Sequence, residues 1–257
     1  MRLFHAIVCP PAHNFAEGLT TVDLGVPDYT CALAAHEQYC QALRECGVLV
    51  EYLDADPTYP DSTFVEDTAI LTGNMAIFAN PGAPSRAGEV AAVADALNSW
   101  FRSGDRIDDP GTLDGGDICD ADAHFLIGVS ARTNEAGAAQ LSEILARQGY
   151  RCDCIDIRST PGILHLKSGI AYIGDNRMVV IDALADHPAL ASYELIRVDP
   201  EEAYAANCVR IKDRVLFPAG YPRLAARLRG LGYTLVELDM TEFQKMDGGL
   251  SCLSLRF

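Results

Sequence analysis

What this 257-residue chain lacks narrows its role before any motif is read. No apolar run is long enough to cross a bilayer, so a membrane protein is not expected. No cluster of Lys and Arg is present either: 20 basic residues stand against 36 acidic ones, for a formal net charge of −16. Nucleic acid and anionic membrane are poor partners for such a surface, whereas a cationic ligand suits it. No Pro/Gly/Ser-rich linker, low-complexity stretch or charge block divides the chain, and residues 1–257 read as one domain. The nine cysteines, at 9, 31, 40, 46, 119, 152, 154, 208 and 252, show no paired spacing, which suits reduced thiols better than a disulfide framework. Cys152 and Cys154 form a C-x-C without a companion pair or nearby His, a poor zinc site. The opening segment runs straight into a strand-like stretch with no signal peptide, so a cytoplasmic protein is expected.

What is present is a module that repeats. Each copy opens on an acidic or polar residue, passes through two short strands split by a tight turn, and enters a helix at a Gly or Pro with an early Arg. One copy runs from Glu66-Asp67 through strands at 68–72 and 75–79 to Pro84-Ser85-Arg86. Its helix carries Val90, Val93, Leu97 and Phe101 at helical spacing. The next opens at Gly116-Asp117, has a strand at 124–129, and passes Arg132-Thr133 into a helix with Leu141, Ile144 and Leu145, ending at Gly149. A later copy opens at Asn207, with strands at 208–211 and 214–217, a helix entered at Gly220-Tyr221-Pro222-Arg223, and a strand at 234–238. Asp67 and Asp117 are 50 residues apart, and Asp117 and Asn207 are 90 apart, which leaves room for one more unit. His165-Leu166-Lys167-Ser168-Gly169 and the apolar runs 170–173 and 178–181 fill it. The N-terminal strand, a helix over 31–46 capped by Gly47 and a strand at 49–53 make most of a fifth, whose missing opening strand is expected at 252–257.

Five such ββαβ units imply a closed or stacked α/β array, because one unit cannot bury its apolar face alone. In a ring, the strand starts meet near the axis and bring Glu66-Asp67, Asp114 to Asp117, His165, Asn207 and Cys252 together. By itself Cys252 would read as an inert buried thiol. Set three residues after Gly249 of a Gly-Gly turn and in phase with a His and an acid, it reads as a nucleophile. A catalytic thiolate wants a nearby His, and that His wants a carboxylate to fix its tautomer. The repeat supplies His165 and Asp114. His5, His13, His36, His124 and His187 fall in strands, a helix or Pro-flanked loops and are expected to be structural or superficial. Asp61, Glu66 and Asp67 lie within seven residues, and the intervening Phe64 and Val65 suggest that the segment packs inward with its carboxylates facing a cation. Arg86 and Arg132, at matching phases of two modules, could in turn hold a carboxylate, although either alone is as easily a surface arginine. Acids and arginines together describe a zwitterionic ligand with a cationic side chain. The long loop 16–29, with Gly18 and Gly25, has the length and glycines of a lid.

With these residues assembled, the chain resembles, over essentially its whole length, the dimethylarginine dimethylaminohydrolases of the guanidino-group-modifying (pentein) superfamily. The carriers are Phe64-Val65-Glu66-Asp67, Leu113-Asp114-Gly115-Gly116-Asp117, Arg132-Thr133-Asn134, Leu164-His165-Leu166-Lys167-Ser168-Gly169, Asn207-Cys208, Pro218-Ala219-Gly220-Tyr221-Pro222-Arg223 and Asp247-Gly248-Gly249-Leu250-Ser251-Cys252. The resemblance implies a five-bladed ββαβ propeller of pseudo-fivefold symmetry with its active site on the axis. It implies Cys252 as nucleophile, His165 as general acid and base, and Asp114 as the orienting acid, where some relatives have Glu. By the same resemblance Asp67 clamps the guanidinium with Glu66 and Asp247 in support. The α-amino group falls to Asp61 and the Leu19 carbonyl, the α-carboxylate to Arg86 and Arg132, and Met246 joins the substrate-binding set. No metal or organic cofactor is needed, and the expected partner is a small molecule, methylated arginine, with a homodimer suggested by relatives. Rival readings are an arginine deiminase, an amidinotransferase, an agmatine-type deiminase and a non-enzymatic propeller acting as a binding module. In the arginine deiminases a second Asp commonly follows the catalytic His by two positions, where this chain has Lys167. Roles for Cys119 and Cys208 are left open.

Overall fold

The structure, a computed structural model, describes residues 5–102 and 104–257. Its strands form five three-stranded sheets of one topology. β1 (His5–Val8) leads through α1 (Tyr29–Glu45) to β2 (Leu49–Tyr52), which lies parallel to it. The next two blades are β3 (Ala69–Leu71), β4 (Ala76–Phe78) and β5 (Gly104–Arg106), then β6 (Ile118–Ala121), β7 (His124–Val129) and β8 (Arg151–Asp156). Each pairs its first two strands antiparallel and its last two parallel, with α2 (Glu89–Leu97) or α3 (Glu135–Arg147) as the crossover. The fourth blade, β9 (Ile170–Tyr172), β10 (Arg177–Ile181) and β11 (Glu194–Val198), keeps this pattern but crosses over through two 3₁₀ turns, Asp182–Leu184 and Pro188–Leu190. The fifth is β12 (Val209–Ile211), β13 (Arg214–Pro218), α4 (Pro222–Gly230) and β14 (Thr234–Leu238). A short α5 (Thr241–Gln244) follows, and β15 (Leu255–Arg256) returns to pair antiparallel with β1, Ile7 opposite Leu255. The first blade thus takes its inner strand from the far end of the chain.

The middle strands carry the core. β7 is buried along its whole length and β10 along all but its first residue, as befits strands covered on one face by a helix or 3₁₀ turns and on the other by the neighbouring blade. The crossover helices present their apolar stripes to the sheets: Val90, Val93 and Leu97 from α2, and Leu141, Ile144 and Leu145 from α3, are all buried. Asp28 caps α1 by accepting from Cys31 N at 2.8 Å, and Asn134 caps α3 by accepting from Gly137 N at 2.8 Å.

One recurring element escaped the sequence reading. Before each inner strand the chain makes a 3₁₀ turn: Val65–Thr68, Gly115–Asp117, Leu166–Ser168, Pro200–Ala206 and Ser251–Leu253. Successive turns touch around the axis, and Asn207, just after the fourth of these, bonds to Ser251 in the last and closes the circle. This corrects the expected strand at 252–257, because Cys252 sits in the turn and the strand begins at Leu255.

Candidate active site

The turns aim polar residues inward because each is pinned by its neighbours. Asp117 Oδ1 accepts from Leu166 N at 2.9 Å and its Oδ2 from Ser130 Oγ at 2.6 Å, so a buried acid of the third blade sets the turn that follows His165. The Gly115-Gly116 pair lets these turns approach closely. A Cβ on Gly116 would lie 2.7 Å from both His165 Nδ1 and Asp67 Oδ1. Asp114 has no exposed surface; its Oδ2 meets His165 Nε2 at 3.1 Å and its Oδ1 accepts from Gly82 N at 2.8 Å. His165 Nδ1 lies 4.0 Å from Asp67 Oδ1.

Of the residues singled out from the sequence, Leu19, Asp61, Asp67, Arg86, Arg132, His165, Met246, Asp247 and Cys252 line one cavity of about 20 Å³. Asp114 stands behind His165. Phe64, Leu164 and Gly248 also line the cavity, and the sequence reading assigned them no part in the site. Phe64 did interrupt the acidic run, a sign that it packs inward.

Glu66 is the exception. Its Oε1 accepts from Lys167 Nζ at 2.6 Å and Arg256 Nη2 at 3.1 Å, and its Oε2 from Ser251 Oγ at 2.7 Å. It borders a separate chamber of about 260 Å³ and is absent from the lining of the small cavity, so the adjacent carboxylates of Glu66 and Asp67 serve opposite sides of the ring of turns. The two arginines also differ. Arg86 is buried, with Nη1 on Asp67 Oδ2 at 2.5 Å, Nε and Nη2 on Glu89, and Nη2 on the carbonyls of Asp61 and Phe64. That leaves one Nη1 hydrogen uncommitted. Arg132 is half-buried, and its guanidinium makes no hydrogen bond or ion pair among the described residues.

The loop 18–28 places Leu19 in the cavity wall and is tied down by acids. Leu19 N donates to both oxygens of Asp61 at 3.0 and 3.1 Å, and Thr21 donates to Asp247 through N at 2.5 Å and through Oγ1 at 3.0 Å. Asp247 itself takes a left-handed conformation, φ +58°, which Asp tolerates better than most residues.

Electrostatics set the resting protonation. Burial pushes the Cys252 thiol up, Glu66 and Asp67 add to it, and the Gly249 N–H at 3.4 Å opposes them; the result is about 12. For His165, burial pulls downward but the Asp67 charge, the Asp114 hydrogen bond and Asp117 outweigh it, and the imidazole rises to about 9. Asp67 is held at about 2, because His165 and Arg86 outweigh its burial. At neutral pH the pair is therefore a neutral thiol beside an imidazolium. Asp67, Asp114 and His165 also place one potential metal-ligand atom each within 4.8 Å of one another. The carboxylate oxygens there already accept from Arg86, Gly116 N and Gly82 N, so the cluster is complete as a hydrogen-bonded unit.

A ring of five blades with Cys, His and Asp converging on its axis defines a cysteine hydrolase of propeller architecture. The profile of the family described as "N,N dimethylarginine dimethylhydrolase, eukaryotic" matches residues 29–209. The N(G),N(G)-dimethylarginine dimethylaminohydrolase of Pseudomonas aeruginosa is 41% identical over 254 residues, which cover 98% of this chain and 99% of that protein. A solved structure of that organism's enzyme, a cysteine-to-serine variant complexed with citrulline, superposes with a TM-score of 0.95 at 40% identity and covers 99% of this chain and 100% of the other. A histidine-to-glycine dimethylarginine dimethylaminohydrolase, as its adduct with S-methyl-L-thiocitrulline, gives 0.95 at 40% identity, covering 98% and 99%. The chain belongs to the dimethylarginine dimethylaminohydrolase family.

Proposed function

We infer that this chain hydrolyses N-omega-methylated arginine to citrulline and a methylamine through a covalent adduct on Cys252. The observation that carries this reading is the single cavity in which Cys252, His165 and Asp67 meet, with Arg132 uncommitted at its wall. A substrate guanidinium entering beside Asp67 brings positive charge to the buried thiol and lowers its pKa, so the substrate itself helps to arm the nucleophile, and the thiol proton leaves to solvent because His165 is already protonated. The thiolate attacks the guanidinium carbon, forming a C–S bond and a tetrahedral adduct. The C–N bond to the methylated nitrogen breaks as His165, protonated at rest, gives its proton to the departing amine. A thiouronium remains. His165 then takes one proton from water as its oxygen attacks the same carbon; the C–S bond breaks, the remaining hydroxyl proton passes to the departing Cys252 sulfur, and citrulline and the resting thiol are released. Asp114 holds the imidazole in orientation throughout.

Asp67 is the chief guanidinium clamp, with Asp247 beside it, while Glu66 acts at one remove through Ser251. Asp61 and the Leu19 carbonyl take the α-amino group. Arg132 and the spare Nη1 hydrogen of Arg86 take the α-carboxylate. Room for about one water needs 10–15 Å³, so the cavity cannot admit an arginine until loop 18–28 lifts. Lys167, bonded to Glu66, gives the position two after His165 no carboxylate for an unsubstituted guanidinium, which favours methylated substrates over arginine. All nine cysteines are free thiols, in keeping with a reducing compartment such as the cytoplasm.

The test is release of citrulline and dimethylamine from asymmetric dimethylarginine, compared with monomethylarginine, arginine and agmatine. Wild type should turn over the methylated substrates selectively, and Cys252→Ser should turn over none while keeping its far-UV spectrum. Turnover by Cys252→Ser would overturn the assignment, and faster turnover of arginine would make the protein a deiminase.

A further inference from the structure

Asn207 opens the fifth blade and takes no part in the chemistry above. It is buried, and both ends of its amide are spent on the two turns that carry the reacting side chains. Oδ1 accepts from Ser251 N at 2.9 Å, and Nδ2 donates to Ser251 Oγ at 3.0 Å and to Lys167 O at 3.0 Å. Ser251 precedes Cys252, and Lys167 follows His165 by two residues. The backbone before Cys252 wraps closely around this amide: a Cβ on Gly249 would lie 2.5 Å from Asn207 Cγ. Inside the same bend, Gly249 N–H donates to Cys252 Sγ at 3.4 Å.

We propose that Asn207 is a positioning residue for Cys252, its amide fixing the bend that aims the Gly249 N–H at the sulfur. The proposal rests on Cys252 being the nucleophile. A bond from an N–H to sulfur strengthens when the sulfur becomes negative, so the bend favours the thiolate over the thiol. Ser251 Oγ passes its hydrogen on to Glu66 Oε2, and Glu66 is held in turn by Lys167 and Arg256, so the turn is clamped from both sides. An Asp at 207 could still accept from Ser251 N, but it would lack both donors. Asn207 does not line the substrate cavity, so its role is separable from substrate binding.

The experiment compares wild type, Asn207→Ala and Asn207→Asp in two assays. The first follows iodoacetamide alkylation of Cys252 between pH 8 and 10 by mass spectrometry of the modified peptide, and needs no substrate. Loss of the thiolate-stabilising bend should slow alkylation about tenfold at each pH, whereas mere loosening of a buried site would speed it. The second is steady-state turnover of asymmetric dimethylarginine, where kcat should fall on the order of 10²-fold, the scale of a small misplacement of a reacting group, with KM within about twofold. Gly249→Ala, which pushes a methyl against the amide, should reproduce both effects. Alkylation of Asn207→Ala at or above the wild-type rate, or an unchanged kcat, would overturn the proposal and leave the hydrolase reading intact. Slowed alkylation in a protein whose wild type ignores methylarginines would uphold the positioning role and sink the substrate assignment instead.

Discussion

His165 titrates against three carboxylates, and the direction of its shift determines how the protein responds to pH. Its folded value of about 9 lies above the roughly 6.5 of an unfolded chain, so its stabilisation is complete below about pH 6.5 and is lost as pH rises through 9. Asp67, held at about 2 against roughly 3.9 unfolded, stabilises above about pH 4, and that contribution is lost as pH falls through 2. The pair is therefore most stabilising between about pH 4 and 6.5. Asp67→Asn should lower the His165 pKa by about one unit or more, read from the imidazole resonances by NMR, and should flatten the loss of stability on the alkaline side. An unmoved His165 would remove Asp67 from its environment. The same neighbourhood shows where the sequence stopped being legible. Acid, His and Cys were visible as a set because the repeat put them in phase. The divergence of Glu66 from Asp67 was not, since adjacent carboxylates on a turn look alike until their partners, Lys167 and Arg256 for one and Arg86 for the other, are known.

Strands and helices with strong apolar periodicity were legible nearly to the residue: β7 and β14 fall where the pattern put them and α3 buries the expected face, whereas α2 stops at Leu97, short of Phe101. The 3₁₀ turns were not, because elements of one or two turns have no period to detect and these carry the polar residues that the axis needs. The fourth blade lacks its crossover helix for a related reason: Pro188 lies within the connection 182–193, which holds two 3₁₀ turns in place of a continuous apolar stripe. Caps belong to this scale as well. Asn134 accepts from Gly137 N at 2.8 Å and Thr112 N at 3.1 Å and donates to Pro110 O at 2.8 Å, so it starts α3 and also anchors the chain leaving β5. Asn134→Ala should cost about 1 to 2 kcal/mol in urea titration with m unchanged. No measurable change would mean that the cap is replaced by solvent.

At the scale of the whole molecule the ring closes late. Ala6 pairs with Arg256 across almost the full chain, and such long-range closure predicts slow folding for a protein of this size. The last four residues contribute more than a strand edge: Ser254 Oγ meets Tyr39 Oη at 2.6 Å, Arg256 pairs with Glu66, and Phe257 packs with His5, Trp100 and Phe101. Deleting Ser254 to Phe257 should therefore lower Tm by roughly 10 °C or more and abolish turnover although Cys252 remains, measured by calorimetry and citrulline release. Retained activity would show that the ring can stay open. The buried, protonated state of Cys252 has one more consequence. Peroxide and other oxidants act on accessible thiols, so they reach the exposed Cys31 and Cys154 before the buried Cys252. Under the proposed mechanism, the chain keeps its attacking sulfur in a form that oxidants pass over and presents it as an anion only in the company of a cation.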